Sequence, residues 1–316
     1  MVAAEKTLIE RIRRLTGQSR NRGVIRGIGD DCAILRASSG HELLVTTDFS
    51  IENIHFRREW HPAGSVGHRC LARGLSDIAA MGGEPMACFL SFGLPPKLPQ
   101  RWADEFLQGL CRLAKRYAVE LAGGDISAAD KIMADIVVVG QVPMGKSVLR
   151  SGARPGDLIY VTGELGGSAA TLQQLFAGRK VRPANTTRHF FPDPRLDAAA
   201  WLRRRGLPTA MIDLSDGLSI DLGHICEQSG VSAIIDAKQL PVARNSTVHL
   251  ALHGGEDYEL VFTARPNTKI PSVIHGLKVT RIGSITIKDY RSAIRILDEN
   301  GKARALRPLG WQHFRD

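Results

Sequence analysis

ELLVTTD, residues 42–48, is an apolar run with β-branched residues that closes on an acid, and AGSVGHRCLARGLSDIAA, residues 63–80, is a helical pattern. The same alternation continues outward along the chain. Further strands are expected over residues 86–92, 132–142, 157–162, 209–212, 231–235, 258–263 and 279–285. Further helices are expected over residues 100–117, 167–176, 193–205 and 216–228. Strands interleaved with helices specify a mixed fold, α/β or α+β. At 316 residues the chain exceeds one ordinary domain, and the segment PMGKSVLRSGARPG, residues 143–156, separates two strongly apolar runs. An N-terminal domain over residues 1–145 and a C-terminal α/β domain over 146–316 are therefore expected.

Composition narrows the class. Hydrophobic residues at 43% and charged residues at 23% place the chain among ordinary globular proteins. Leu8, Ile9, Ile12 and Leu15 recur at helical spacing between charges, which reads as an amphipathic helix and not as a signal peptide. The most apolar stretch, residues 132–142, is interrupted by Asp135 and is too short to span a bilayer. Cys32, Cys70, Cys88, Cys111 and Cys226 are scattered singly, without the spacing of a zinc site or a disulfide framework. A soluble protein of the reducing cytoplasm is expected. The formal charge of +10 calls for anionic partners. Aromatics, at 6%, are not interleaved with the arginine clusters, so solvated faces or attraction for phosphorylated small molecules fit better than nucleic acid.

The acids carry the chemistry. Asp30-Asp31 follows Gly27-Ile28-Gly29, Asp48 follows the run 43–47, Asp125 follows 120–124, and Asp213 and Asp216 flank Leu214-Ser215. Any one of these alone is ordinarily a turn or a helix cap. Several in one chain, each at the end of an apolar run or in a glycine turn, predict a shared rim. Carboxylates gathered at a rim repel unless cations intervene. Oxygen donors from Asp and Thr, with no organised His or Cys, suit Mg²⁺ sharing its shell with phosphate oxygens. An acid-bearing turn also recurs, as Gly123-Gly124-Asp125 and as Gly254-Gly255-Glu256-Asp257.

Rival motifs are weaker. Residues 140–147 satisfy the P-loop pattern, but Gly152, Pro155 and Gly156 leave no room for the helix that must follow. Gly27-Ile28-Gly29 lacks the third glycine of a dinucleotide fingerprint. Residues 163–168 precede a helix and read as a helix start. His249 and His253, four apart, fit a structural role better than zinc. His55, seven residues after Asp48, can lie over the same rim.

Taken in order, Gly27-Ile28-Gly29-Asp30-Asp31-Cys32-Ala33, Thr46-Thr47-Asp48, Asn53-Ile54-His55-Phe56, Leu75-Ser76-Asp77, Gly123-Gly124-Asp125, Arg150-Ser151-Gly152, Asp213-Leu214-Ser215-Asp216-Gly217 and Gly254-Gly255-Glu256-Asp257-Tyr258 resemble the thiamine-monophosphate kinase family of the aminoimidazole-ribonucleotide-synthetase-like superfamily. The likeness runs almost end to end. It implies ATP-dependent phosphorylation of thiamine monophosphate to thiamine diphosphate by direct in-line transfer. It also implies several Mg²⁺ ions on Asp31, Thr46, Thr47, Asp48, Asp77, Asp125, Asp213 and Asp216. Gly124, Asp125, Arg150 and Ser215 would address ATP, and His55, Glu256 and Trp311 the acceptor. Asp48, Asp125, Arg150 and Asp213 would be the catalytic set. A homodimer is implied too, its N-terminal sheets paired into a barrel.

Two departures stand out: Gly74, where the family commonly has Asn, and Trp311, where Tyr is also found. Sibling activities that make selenophosphate or activate a carbamoyl group would place a cysteine near one terminus. None lies in the first helix or in His313-Phe314-Arg315-Asp316. A basic nucleic-acid-binding protein is the non-enzymatic alternative.

Overall fold

Strand β3 (His41–Ile51) shows the alternation of a half-buried strand: Glu42, Leu44, Thr46 and Ser50 are buried, while Thr47 and Phe49 face outward and are exposed. It belongs to a six-stranded sheet with β1 (Val24–Arg26), β2 (Ala33–Arg36), β4 (Glu84–Leu94), β5 (Glu120–Ala128) and β6 (Met133–Pro143), in the order β1-β2-β3-β6-β4-β5. All neighbours are antiparallel except β4 and β5. The computed structural model describes residues 24–26, 33–36, 39–185, 187–298 and 301–311. The helix expected over residues 1–15 lies outside the described residues, and so does Asp31.

Helices α1 (Ala63–Ala80) and α2 (Gln100–Arg116) cover the inner face of this sheet. Helix α1 enters after Pro62 and stops at Met81, where Gly82 turns to φ 69°. It is buried on nearly every side, as a helix between two layers must be.

The second layer is the C-terminal sheet. It contains β7 (Leu158–Thr162), β8 (Ala210–Asp213), β9 (Ser232–Asp236), β10 (Leu260–Ala264), β11 (Val273–Ile274), β12 (Leu277–Thr286), β13 (Ile294–Leu297) and β14 (Ala303–Ala305). The order is β14-β13-β9-β12-β7-β10-β8, with β11 beside β12. Its helices are α3 (Gly167–Phe176), α4 (Thr187–Phe190), α5 (Leu196–Arg204), α6 (Leu218–Ser229) and α7 (Val248–His253).

Strand β10 is buried throughout because both faces are covered. Leu260 and Phe262 join Met211, Leu202 and the α1 residues in one core, while Val261 joins Ile212, Leu222 and Ile225 beneath α6 in another. Each such side chain contributes roughly 1.5–3 kcal/mol by leaving water. The mixed α/β class expected from the sequence is what these two sheets and their helices show.

Several expected boundaries move. Asp48 does not end its strand, since β3 continues through Phe49, Ser50 and Ile51, paired with Asp135, Ala134 and Met133, and Asp125 lies inside a strand that was not expected, β5, which runs to Ala128 along β4. The helix expected from 193 starts at Leu196, since Pro194 biases the residue before it away from helical angles. The helix expected from 216 starts at Leu218, because Gly217 sits at φ 111°. After Pro143 the chain makes a turn and then runs without helix to Asp157, so the P-loop pattern has no helix to serve it.

Candidate functional site

A single turn of α1, residues 73–77, gathers acids from both halves of the chain. Arg73 Nη1 lies 3.8 Å from Asp48 Oδ1 on β3, and its Nη2 donates to Glu256 Oε1 at 3.0 Å. Ser76 Oγ donates to Asp213 Oδ2 at 2.7 Å, at the end of β8. The Thr46 hydroxyl donates to the Asp77 carboxylate. Such a turn rises only about 6 Å, so Asp48, Asp77, Asp213 and Glu256 border one region where the two layers meet. Leu-Ser-Asp spells this turn in the sequence because its Ser and Asp leave the helix toward opposite layers.

The C-terminal wall is built from two loops tied by their backbones. Glu256 N–H donates to the Ser215 carbonyl at 2.8 Å, Tyr258 N–H to the Leu214 carbonyl at 2.9 Å, and Leu214 N–H to the Glu259 carbonyl at 2.8 Å. These bonds hold Glu256 and Tyr258 at φ 63° and 49°, a left-handed backbone that side-chain-bearing residues seldom adopt. The turn after β8 is closed by Asp221, whose Oδ2 accepts from the N–H groups of Asp216 and Gly217 at 3.1 and 2.9 Å. Burial raises the Asp221 carboxyl well above its ordinary range, and the nearby charges of Asp216 and Asp213 add to the shift. Three carboxyl groups thus lie close enough to feel one another at the start of α6.

Glu256 behaves in the opposite way. Burial alone would raise it, but Arg69 and Arg73 hold it well below the usual carboxylate range. Arg69 Nη2 donates to the same Oε1 at 2.6 Å. The chain returns to this wall at its far end, where Trp311 N–H donates to the Asp216 carbonyl at 3.1 Å and the Trp311 ring is exposed. His55 lies in the turn after β3, its Nδ1 accepting from Ile51 N–H at 3.0 Å.

Other expected members stand apart. Thr47, next to Thr46 but on the opposite face of β3, donates to Asp135 Oδ1 at 2.6 Å. Asp125 is exposed on the edge strand β5, where Gly124 is in line with Leu90, Ile136 and Asp48. Three strand spacings, about 14 Å, separate it from Asp48. Gly124 sits at φ 145°, and a Cβ there would lie 1.9 Å from the Leu90 carbonyl oxygen, so only glycine lets β5 approach β4 this closely.

The Arg150 carbonyl accepts from Ser229 Oγ at the last residue of α6, roughly 18 Å along that helix from Asp216. Gly74 faces β6, where a Cβ would meet Val138 Cγ2 at 2.5 Å. His249 and His253 share the short helix α7 with ring centres 4.8 Å apart, and His253 Nδ1 bonds Ser219 Oγ.

Side-chain donors around the α1 turn are all oxygens, the set a hard cation takes. Among the described residues no three His, Cys, Asp or Glu side chains converge into a cage that could hold a metal ion. Such a donor set suits an ion completed by water and phosphate oxygens. Sequence reasoning missed Arg69, Arg73 and Asp221, and gave no role to Ser76 and Tyr258 within the motifs that contain them. The signal for the two arginines was their i, i+4 spacing on a helix whose other residues, His68 and Asp77 apart, are small or apolar.

Residues 29–142 match the family model described as AIR synthase related protein, N-terminal domain, and residues 154–294 match its C-terminal domain. Over 305 residues the chain is 35% identical to thiamine-monophosphate kinase of Haemophilus influenzae, covering 92% of each chain. It is 38% identical to thiamine-monophosphate kinase of Escherichia coli K12, covering 91% of each. Among solved structures, AaThiL complexed with AMPPCP and TMP superposes with a TM-score of 0.86 at 31% identity, covering 98% of this chain and 97% of that one.

Proposed function

The chain belongs to the thiamine-monophosphate kinase family of AIR-synthase-related proteins, and on that premise we propose that it transfers the γ-phosphoryl group of ATP to thiamine monophosphate, forming thiamine diphosphate and ADP. The observation that carries this reading is likeness that spans both halves and 91% to 98% of the chain, at 35% to 38% identity with curated kinases and 31% with a neighbour solved with AMPPCP and TMP. The gathering of Asp48, Asp77, Asp213 and Glu256 on one turn of α1 supports it.

The acceptor oxygen is already anionic, so the reaction needs no strong general base. It needs two anions held in line and charge stabilised on the group in transit. In our reading Gly124, Asp125, Arg150 and Ser215 address ATP, while His55, Glu256 and Trp311 address the acceptor. Asp48, Asp125, Arg150 and Asp213 act on the reacting groups. The Trp311 indole, half exposed beside Asp216, offers a face for a flat ring. Several Mg²⁺ ions would be shared among Asp31, Thr46, Thr47, Asp48, Asp77, Asp125, Asp213 and Asp216, and when bound they would neutralise phosphoryl oxygens.

Asp125 and Thr47, set apart from the α1 turn, lie on the face of the N-terminal sheet that exposes Phe49 and Phe89. This apolar exposure supports a homodimer joined through the N-terminal domain, residues 1–145, with 146–316 as the second domain. The test of function is an ADP-coupled assay of the purified chain with Mg²⁺ and either thiamine monophosphate or thiamine. Thiamine monophosphate alone should be consumed, with thiamine diphosphate as product. Consumption of thiamine instead, or of neither, overturns the proposal.

A further inference from the structure

The acceptor-side carboxylate Glu256 is held by two arginines to which no role has yet been given. Arg69 and Arg73 leave α1 one turn apart on one face. Two buried cations in a helix surrounded by apolar neighbours require compensation, and Glu256 Oε1 supplies it to both, at 2.6 and 3.0 Å. Their remaining donors go to different places. Arg69 Nη1 donates to the His189 carbonyl. Arg73 Nη1 donates to the Phe49 carbonyl and lies 3.8 Å from Asp48 Oδ1. Arg73 alone of the pair therefore has one arm on β3, at the residues that bear Asp48, and the other on the C-terminal loop that bears Glu256. Side-chain exposure ranks the three: Arg69 is 4% exposed, Arg73 10% and Glu256 23%, so the carboxylate is the member of the cluster most open to solvent.

We propose that Arg73 is a positioning residue for the acceptor, fixing Glu256 as an oriented carboxylate for the cationic part of thiamine monophosphate and tying its place to the strand of Asp48. The inference rests on the assignment of Glu256 to the acceptor made above. The chemistry agrees. A thiazolium ring carries its charge on a quaternary nitrogen with no N–H, so it is recognised by the charge and approach of an anion, not by a directional donor. A carboxylate pinned by guanidinium groups offers that charge without reorganising, and preorganisation of this kind acts on affinity. A guanidinium is suited to the task because its fork serves two acceptors in one plane, which an ammonium does not.

The experiment is calorimetric titration with thiamine monophosphate, without ATP or Mg²⁺, alongside kinetics with each substrate varied. The proteins are the wild type, Arg73→Ala, Arg73→Lys, Glu256→Gln and the double variant Arg73→Ala/Glu256→Gln. Arg73→Ala should weaken thiamine monophosphate binding and raise its KM about tenfold, with the KM for ATP within about twofold of wild type and kcat less affected. Arg73→Lys should recover part of the loss. The double variant should bind no more weakly than Glu256→Gln, because a residue acting through Glu256 has nothing left to position.

Unchanged acceptor affinity in Arg73→Ala, equal rises in both KM values, or penalties that multiply in the double variant would overturn the proposal. If Arg73→Ala does not fold, Arg73→Lys closes the same cycle with Glu256→Gln. A wild type that neither binds nor consumes thiamine monophosphate sinks the functional reading and this inference together. Binding that persists equally in wild type and Arg73→Ala sinks the inference alone.

Discussion

Two turns of nearly the same sequence meet opposite fates in this molecule. Gly123-Gly124-Asp125 lies within the edge strand β5, which pairs with β4 on one side only, and residues 122–127 are exposed. Gly254-Gly255-Glu256-Asp257 is folded between the two layers, and each acid in and beside it is met by donors of the protein. Glu256 takes two guanidiniums, and Asp257 accepts from the N–H groups of Gly166 and Ser168 at the start of α3. Glu259, just beyond, receives Arg195 through Nε at 2.7 Å and the Thr162 hydroxyl at 2.7 Å. The contrast separates two uses of an acid. An exposed one on a rigid strand is available to a ligand, whereas the buried Asp257 and Glu259 must be answered by the protein itself and so become architecture; Glu256, held by two guanidiniums but partly exposed, stands between the two.

The contrast breaks if removing charge has like effects at both turns. Asp125→Asn should cost about a thousandfold in kcat/KM, equivalent to about 4 kcal/mol, with no change in Tm, because the side chain is exposed and its strand is held by β4. A normal turnover number at saturating ATP and Mg²⁺ would remove Asp125 from the site. Glu259→Gln should do the reverse. It leaves Arg195 to the Asp193 carboxylate, at 3.3 Å, and removes the charge that Arg188 also faces, so a loss of about 3 kcal/mol in unfolding free energy is expected by denaturant titration, with KM values little altered in the folded fraction. Stability within about 0.5 kcal/mol of wild type would show that Asp193 alone suffices for Arg195.

Gly124→Ala sharpens the comparison at the backbone. Its Cβ would fall 1.9 Å from the Leu90 carbonyl oxygen at an unfavourable φ, so β5 must shift away from β4. A cost of about 2 kcal/mol is expected in thermal or denaturant unfolding. Unaltered stability would mean that the edge strand yields freely and that Asp125 is not rigidly presented.

How far the sequence foretold this follows from where partners lie along the chain. Helices α1 and α3 appear with the boundaries expected, because their signals are local: helical spacing bracketed by Pro62 and Gly82 in one case, and a glycine turn at the start of the other. Strand β5 was not expected as a strand. ELAGGDISA has little β-propensity, and its extended form comes from pairing with β4, a tertiary effect. The acids were legible as a set because each follows an apolar run or sits in a glycine turn.

Their sorting into groups was not. Thr46 and Thr47 are neighbours in the chain but face opposite sides of β3, a distinction that depends on which face the helices cover. The role of Arg69 and Arg73 was hidden for a similar reason, since their common partner Glu256 lies 187 and 183 residues away. The split of the acids between the α1 turn and the β5 edge likewise belongs to strand order, which composition and local spacing do not encode.

The smallest effect concerns the surroundings of the buried turn under acid. His61 Nε2 and His189 Nε2 are 3.0 Å apart, and His189 Nδ1 bonds Ser168 Oγ at 2.9 Å, so a buried polar chain links the segment before α1 to the start of α3. Burial, with Arg69 beside them, pushes His61 down to about 4 and His189 down to about 3. Unfolded, each titrates near 6.5. A folded value below the unfolded one means that this stability is full above about pH 6.5 and is lost as pH falls toward 4. The loss is on the order of 1–2 kcal/mol between pH 7 and 5 for the first proton taken up.

Asp257 runs the other way. Burial lifts it to about 7 despite its two N–H donors, so its contribution grows as the medium is acidified from pH 7 and is lost as pH rises through that value. The wild-type curve mixes both signs, and a variant is needed to separate them. His189→Gln keeps a polar group without the titration, so the stability gap between wild type and His189→Gln should narrow on going from pH 7 to 5. A gap that stays constant would show that the histidine pair does not take up its proton on unfolding. No comparable response is expected at the exposed turn, where, among the described residues, no buried histidine stands behind Asp125.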